Sequence, residues 1–100
     1  MPTFEVTVQG RGIHVRIDEI DATSFFRLVR VVAVDRARAE AKALSRVAAD
    51  WSKSPYADRN SGFSPRLRVD SVALLPWWYR FLSVRRGYVF APDDDPAGAG

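Results

Sequence analysis

The chain has no cysteine, one histidine and one methionine in 100 residues. The absence of cysteine excludes disulfide bonds, thiolate zinc sites and redox chemistry through sulfur. His14 has no serine or cysteine motif to partner it, and the strand pattern around it directs it outward, so we interpret it as a solvated side chain. We therefore expect a protein that is not an enzyme and that has no metal, no cofactor and no evident small-molecule substrate.

Long apolar runs are also missing. No stretch approaches the roughly 18 apolar residues of a membrane-spanning helix, and the first ten residues lack the basic start and apolar core of a signal peptide. We expect a cytoplasmic protein with no membrane partner. A chain of 100 residues with 47% hydrophobic and 27% charged side chains suits one globular domain.

Positive charge is the strongest bias in the composition. The formal net charge is +3, and 13 of the 15 basic residues are arginine, which favours bidentate contacts with phosphate or carboxylate. A GC-rich genome that encodes arginine in place of lysine also explains this bias, and charge alone predicts only non-specific attraction to anions.

Without Asp93, Asp94 and Asp95, the chain has 15 basic and 9 acidic residues, a net charge of +6. We interpret residues 91–100 as a flexible acidic tail rich in Gly and Pro, and residues 1–90 as a single domain.

Alternation of apolar and polar residues predicts the first strands. Apolar side chains occupy every second position over residues 4–8 and 13–17, and the glycine-containing sequence at residues 10–12 predicts a tight hairpin turn between them. A loop over residues 19–24 then leads to residues 25–34, which are apolar on both faces apart from two arginines. Their β-branched and aromatic content predicts a central third strand.

One helix is predicted in the middle of the chain. Asp35 is a favourable N-cap residue, and the alanine-rich sequence after it predicts a helix over about residues 36–53. The turn-rich residues 52–65 are long for an unstructured connection. Residues 67–75 alternate as a further strand, and residues 88–90 predict a short last one. The helix face expected to pack on the sheet carries Ala37, Ala41, Leu44, Val47, Ala48 and Trp51.

These elements predict an α+β fold. The expected order is β-β-β-α-β-β, with an antiparallel sheet of four to five strands and one α-helix packed on one face. A single helix covers only one face of such a sheet, so the other face is left open or covered by something else.

The sequence also resembles a known group of proteins. The run FFRLVRVVAVDRARAEAKAL, preceded by FEVTV, GRG and IHVRID and followed by GYVFAP, is similar to a family of small uncharacterised bacterial α+β proteins. The resemblance spans about nine-tenths of the chain and implies a fold, but no activity and no catalytic or binding residues. The order of elements also resembles that of HicB-like antitoxin domains, as a fold analogy only.

The segment at residues 76–90, PWWYRFLSVRRGYVF, is the strongest candidate for a functional surface. It combines aromatic rings with arginines, a mixture typical both of protein interfaces and of nucleic-acid stacking surfaces. We expect a non-enzymatic interaction module that forms a homodimer or binds a protein partner, and the alternative is a nucleic-acid-binding protein. The candidate residues are Trp77, Trp78, Tyr79, Arg80, Phe81, Arg85 and Arg86.

Overall fold

Two long strands form the centre of the fold. In the computed structural model, which describes residues 1–76, 78 and 87–91, β1 (Thr3–Ile17) pairs antiparallel with β2 (Ile20–Val32) along nearly its whole length. β3 (Arg66–Leu75) pairs with the outer edge of β1, and β4 (Tyr88–Ala91) pairs with β2. The sheet therefore has the strand order β3-β1-β2-β4, with every neighbouring pair antiparallel.

Two helices connect β2 to β3. The long helix α1 (Arg36–Ser52) and the short helix α2 (Pro55–Arg59) both contribute side chains to the hydrophobic core on one face of the sheet. The α+β class, with a four-stranded antiparallel sheet and one main helix packed against it, is thus confirmed. The predicted strands over residues 67–75 and 88–90 are confirmed as β3 and β4.

The predicted hairpin at residues 10–12 is wrong. The chain passes straight through this sequence as part of β1, and the pairing register with β2 shifts between Arg11 and Val15. Gly12 has a φ of +91°, a conformation that suits glycine and marks a bulge in the strand. The glycines therefore allow a local distortion, while the strand continues in the same direction.

The reversal lies six residues further on, at Asp18 and Glu19. These residues have φ values of +49° and +69°, and the flanking Ile17 and Ile20 are paired. Positive φ at both central residues is typical of the two-residue turn whose twist matches that of the strands it joins. β2 therefore begins at Ile20 rather than after a loop over residues 19–24, and the element order is β-β-α-α-β-β, with two strands before the helices in place of three.

The helix α1 begins where the sequence predicts, but it packs through a different face. Asp35 is the N-cap residue, and its Oδ1 accepts a hydrogen bond of 2.8 Å from the N–H of Arg38. Leu44 packs against the core as expected, although it is only partly buried. Three residues predicted to face inward are exposed, namely Ala37, Ala41 and Ala48. The buried stripe consists of Ala39, Ala43, Val47 and Trp51.

The core is built around Phe25, which is fully buried in β2. Its ring stacks on that of Trp51 from α1, with a centroid separation of 4.8 Å and an interplanar angle of 6°. Gly10 is the cross-strand partner of Phe25 on β1, and it leaves room for the ring. Val6 and Val8, also fully buried, continue this layer along β1.

Candidate functional site

The predicted partner-binding residues fall almost entirely outside the described part of the chain. Trp78 is described, and it is 47% exposed. The others, which lie outside the described residues, are Trp77, Tyr79, Arg80, Phe81, Arg85 and Arg86. Of the tail predicted over residues 91–100, Ala91 belongs to β4, and residues 92–100 lie outside the described residues.

Aromatic side chains of β4 and α2 pack against the hydrophobic core. Tyr88 from β4 meets Phe25 edge-on, with ring centroids 5.0 Å apart, and meets Trp51 in the same way at 5.5 Å. Tyr56 from α2 packs against Phe90 with a centroid separation of 4.8 Å. These rings join β4 and α2 to the main core, so they stabilise the fold and are not free to bind a partner.

A partly buried polar group lies beside this cluster. The Arg27 guanidinium lies 4.7 Å from the centre of the Tyr88 ring, and its Nη2 is 3.1 Å from Oδ2 of Asp50 on α1. Burial raises the pKa of Tyr88 above its ordinary value of 10.0, although the nearby Arg27 opposes the shift. The Tyr88 hydroxyl is buried and makes no well-formed hydrogen bond with a described residue, although the Arg27 guanidinium lies close enough to lower its pKa. The arrangement ties β2 and β4 to α1.

The group of residues best suited to bind a ligand lies near the opposite edge of the sheet from β4, where β1 pairs with β3. A pocket of about 440 Å³ opens there, within the range of small-ligand sites. Its lining includes three arginines and one exposed aromatic ring, and none of the residues lining the pocket is acidic. We name it the arginine pocket, and it is lined by Arg11, Gly12, Phe63, Arg66, Leu67 and Arg68.

Strand register brings the arginines together. Arg11 on β1 is the direct cross-strand partner of Arg66 on β3, so both side chains project from the same face of the sheet. Arg68 follows two residues after Arg66 and therefore projects from that face as well. Leu67, between them, packs against the hydrophobic core. The alternation of β3 thus anchors the strand through Leu67 and displays the two arginines.

A hydrogen-bonded loop holds Phe63 at the rim of this pocket. The Asn60 Oδ1 accepts hydrogen bonds from the N–H of His14, at 2.7 Å, and from the N–H of Gly62, at 2.9 Å. The Asn60 Nδ2 donates to the carbonyl of Phe63 at 2.8 Å, and the Phe63 N–H donates to the carbonyl of Gly12 at 2.9 Å. The turn-rich segment after α2 is therefore fixed against β1. His14 is exposed, as expected from the sequence.

Two of the three arginines in the pocket are not compensated by an opposite charge within the described part of the chain. Arg66 and Arg68 form no ion pair or side-chain hydrogen bond with another described residue, whereas Arg11 does take part in a further interaction. Like charges directly opposite each other on neighbouring strands destabilise a sheet. An anion bound between the two strands would offset this repulsion, because the planar N–H donors of arginine match the oxygen acceptors of phosphate and carboxylate groups.

The sequence contained part of the signal for this pocket. Arg66 and Arg68 alternate with Leu67 and Val69, a pattern that predicts an arginine-bearing strand face. What the sequence did not show is that Arg11 is the partner of Arg66, because that pairing joins residues 55 positions apart. The exposed position of Phe63 likewise depends on the contacts of Asn60 with β1.

The described residues contain neither a cluster of metal-binding side chains nor a membrane-spanning helix. No three histidine, aspartate or glutamate side chains described there lie close enough together to hold a metal ion. No helix among those residues is both long and apolar enough to cross a membrane. In comparisons with known proteins, the chain matches no protein-family model, and no curated protein or solved structure shows significant similarity to it.

Proposed function

We propose that this protein is a small non-enzymatic binding module whose partner is a polyanion, held at the arginine pocket. One observation carries the proposal: Arg11 lies opposite Arg66, beside Arg68, in a pocket lined by no described acidic residue. The excess of arginine over lysine agrees with this role, because guanidinium groups bind phosphate and carboxylate in a fixed planar geometry. The net charge of +3 adds a weak attraction for the same partners.

Titration with a fluorescent polyanion at low and moderate salt tests this function. The wild-type protein is expected to bind, with an affinity that falls steeply as salt rises, because each phosphate contact releases condensed counterions. The double variant Arg66→Ala with Arg68→Ala is expected to bind at least about tenfold more weakly and to show a salt slope shallower by about 1 to 2 units.

A charge-matched control separates the pocket from overall charge. Arg36 and Lys53 are exposed residues at the two ends of α1, on the face of the sheet away from the arginines. The double variant Arg36→Ala with Lys53→Ala removes the same two charges and is expected to reduce affinity much less. Equal losses in the two double variants, or no polyanion binding by the wild type at low salt, would contradict the proposal.

Self-association is a second candidate function, favoured by the exposure of Trp78. A tryptophan that is 47% exposed offers a large aromatic surface to a partner. We propose that a second copy of the chain covers it. Sedimentation equilibrium is expected to give a dimer mass for the wild type and a shift toward monomer for Trp78→Ala. A wild-type protein that is monomeric at high concentration would remove this candidate and leave the polyanion proposal unaffected.

A further inference from the structure

Phe63 is the most exposed aromatic side chain described, with 82% of its surface accessible. Its backbone is nevertheless fixed, since both its N–H and its carbonyl are hydrogen-bonded, to Gly12 and to Asn60 respectively. A ligand that covers the ring removes apolar surface from water without first having to order the loop. The ring is thus pre-organised to contact a flat apolar group.

The surroundings of Phe63 narrow the kind of group that fits. The ring lines the same pocket as Arg66 and Arg68, so a ligand that fills the pocket has an aromatic surface and guanidinium groups within one site. Single-stranded nucleic acids combine flat bases with a phosphate on every nucleotide. Proteins that bind them without strong sequence preference use aromatic rings as stacking surfaces and basic residues along the backbone.

We propose that the arginine pocket binds a single-stranded nucleic acid, with one base stacked on the Phe63 ring and the adjoining phosphates bound by Arg66 and Arg68. This inference rests on the proposed polyanion binding and adds the recognition of a base to it. A duplex is a poorer ligand, because its bases are stacked on one another and present only their edges. Inorganic polyphosphate and sulfated polysaccharides supply anions, but they have no planar ring to cover Phe63.

An abasic oligomer distinguishes the contribution of the base from that of the backbone. Fluorescence anisotropy compares a thymidine oligomer of about ten nucleotides, within the site sizes of single-strand binding folds, with an abasic phosphodiester of the same length and with the corresponding duplex. Phe63→Ala is expected to weaken binding of the thymidine oligomer about 5- to 100-fold, the equivalent of one lost base stack. It is expected to change binding of the abasic oligomer by less than about twofold.

Two variants serve as controls in the same assay. Phe63→Trp keeps an aromatic surface and is expected to bind the thymidine oligomer as well as the wild type does. Arg66→Ala is expected to weaken the thymidine and abasic oligomers by similar factors, because a phosphate contact does not depend on the base. Since Phe63 is exposed, Phe63→Ala is expected to keep the wild-type melting temperature, and circular dichroism verifies that it is folded.

The possible results separate this inference from the proposed function. If Phe63→Ala weakens both oligomers equally, or neither, base stacking is excluded while polyanion binding stands. Preference of the wild type for the duplex over the single strand would also overturn the inference. If the wild type binds none of the oligomers at low salt, both this inference and the proposed function fail.

Discussion

The ring of Phe25 lies against the backbone of Gly10, its partner across the first two strands. A β-carbon added to Gly10 would overlap the Cε2 and Cζ atoms of that ring. Because the ring is fully buried and also stacks on Trp51, it has little room to move away. Glycine at position 10 is therefore required by packing, although its φ is not positive.

Gly10→Ala is expected to lower the free energy of unfolding by about 1–3 kcal/mol, the usual cost of an overpacked core. Urea denaturation measures the change. In the background of Phe25→Leu, where the ring is absent, the same substitution is expected to cost less, so the two positions should be coupled in a double-mutant cycle. Additive effects would show that the ring does not restrict position 10.

The face through which α1 packs is tested by one substitution made at two neighbouring positions. Ala43 is fully buried and Ala41 is exposed. Ala43→Leu is expected to destabilise the protein by about 1–3 kcal/mol through overpacking, whereas Ala41→Leu is expected to be nearly neutral, because leucine and alanine have similar helix propensities. Thermal denaturation of both variants measures the two changes in stability. A larger loss for Ala41→Leu than for Ala43→Leu would show that α1 packs through the face predicted from the sequence.

Tyr88 makes stability sensitive to alkaline pH. Its pKa is raised in the folded protein, chiefly by burial, so above about pH 10 the unfolded chain loses this proton before the folded chain does. The contribution of Tyr88 is therefore complete below about pH 10 and is lost as the pH rises further. Between about pH 9 and pH 11 the free energy of unfolding is expected to fall more steeply for the wild type than for Tyr88→Phe. Parallel curves would contradict this assignment.

At neutral pH Tyr88→Phe is expected to leave stability unchanged or slightly raised. The buried hydroxyl makes no well-formed hydrogen bond with a described residue, and its contact with Arg27 is weak enough that burial still raises its pKa, so removing it relieves a desolvated polar group at little cost. Urea denaturation near pH 7 measures the difference. A loss above about 1 kcal/mol would indicate a partner outside the described residues or an ordered water.

Asn60 links the fold to the arginine pocket. Its side chain makes three hydrogen bonds, to His14, Gly62 and Phe63. Asn60→Ala is expected to cost about 1–3 kcal/mol of stability, since single hydrogen bonds contribute roughly 1 kcal/mol each. It is also expected to weaken binding of the thymidine oligomer, because Phe63 is less firmly held, without changing the salt slope, because no phosphate contact is removed. The nearby Ser64→Ala is the control and should change neither property.

The sequence correctly predicted the features that depend only on residues close together along the chain. Asp35 predicted the start of α1 because capping involves a backbone N–H only three residues away. The strand at residues 67–75 followed from alternation alone, and with the helix it led to the correct fold class. These features require no knowledge of which distant residues meet.

Two errors arose where local patterns were ambiguous. The glycines at residues 10–12 suit a hairpin and a bulge equally, and the turn at Asp18 and Glu19 lacked the asparagine-glycine or aspartate-glycine pair that usually marks a two-residue turn. In α1, alanines occur on every side of the helix, so hydrophobicity did not define its buried face. The larger Val47 and Trp51 were placed correctly, since their burial is worth far more than that of a methyl group.

The arginine pocket could not be predicted from the sequence, because it depends on contacts between residues that are distant along the chain. The sequence drew attention to residues 76–90 through their composition, whereas the arginine pocket depends on the pairing of β1 with β3 and on the Asn60 contacts. The sequence pattern places Arg66 on an exposed strand face, but it gives no sign that Arg11 or Phe63 lies beside it until the strands are paired. Six of the seven candidate residues in the segment at residues 76–90 lie outside the described residues, whereas Tyr88 and Phe90 at its end pack against the core. The role of the segment in self-association stays a prediction.

The two-residue turn at Asp18 and Glu19 has a consequence for how the chain reaches this structure. It makes the central strands neighbours in sequence, so they can pair with almost no loop to close, whereas β3 and β4 have to be recruited from far along the chain. We expect this hairpin to be largely formed in the folding transition state and both edge strands to join after it. Substitutions in the hairpin should then slow refolding, and those in the edge strands should mainly accelerate unfolding, a difference that stopped-flow kinetics resolves.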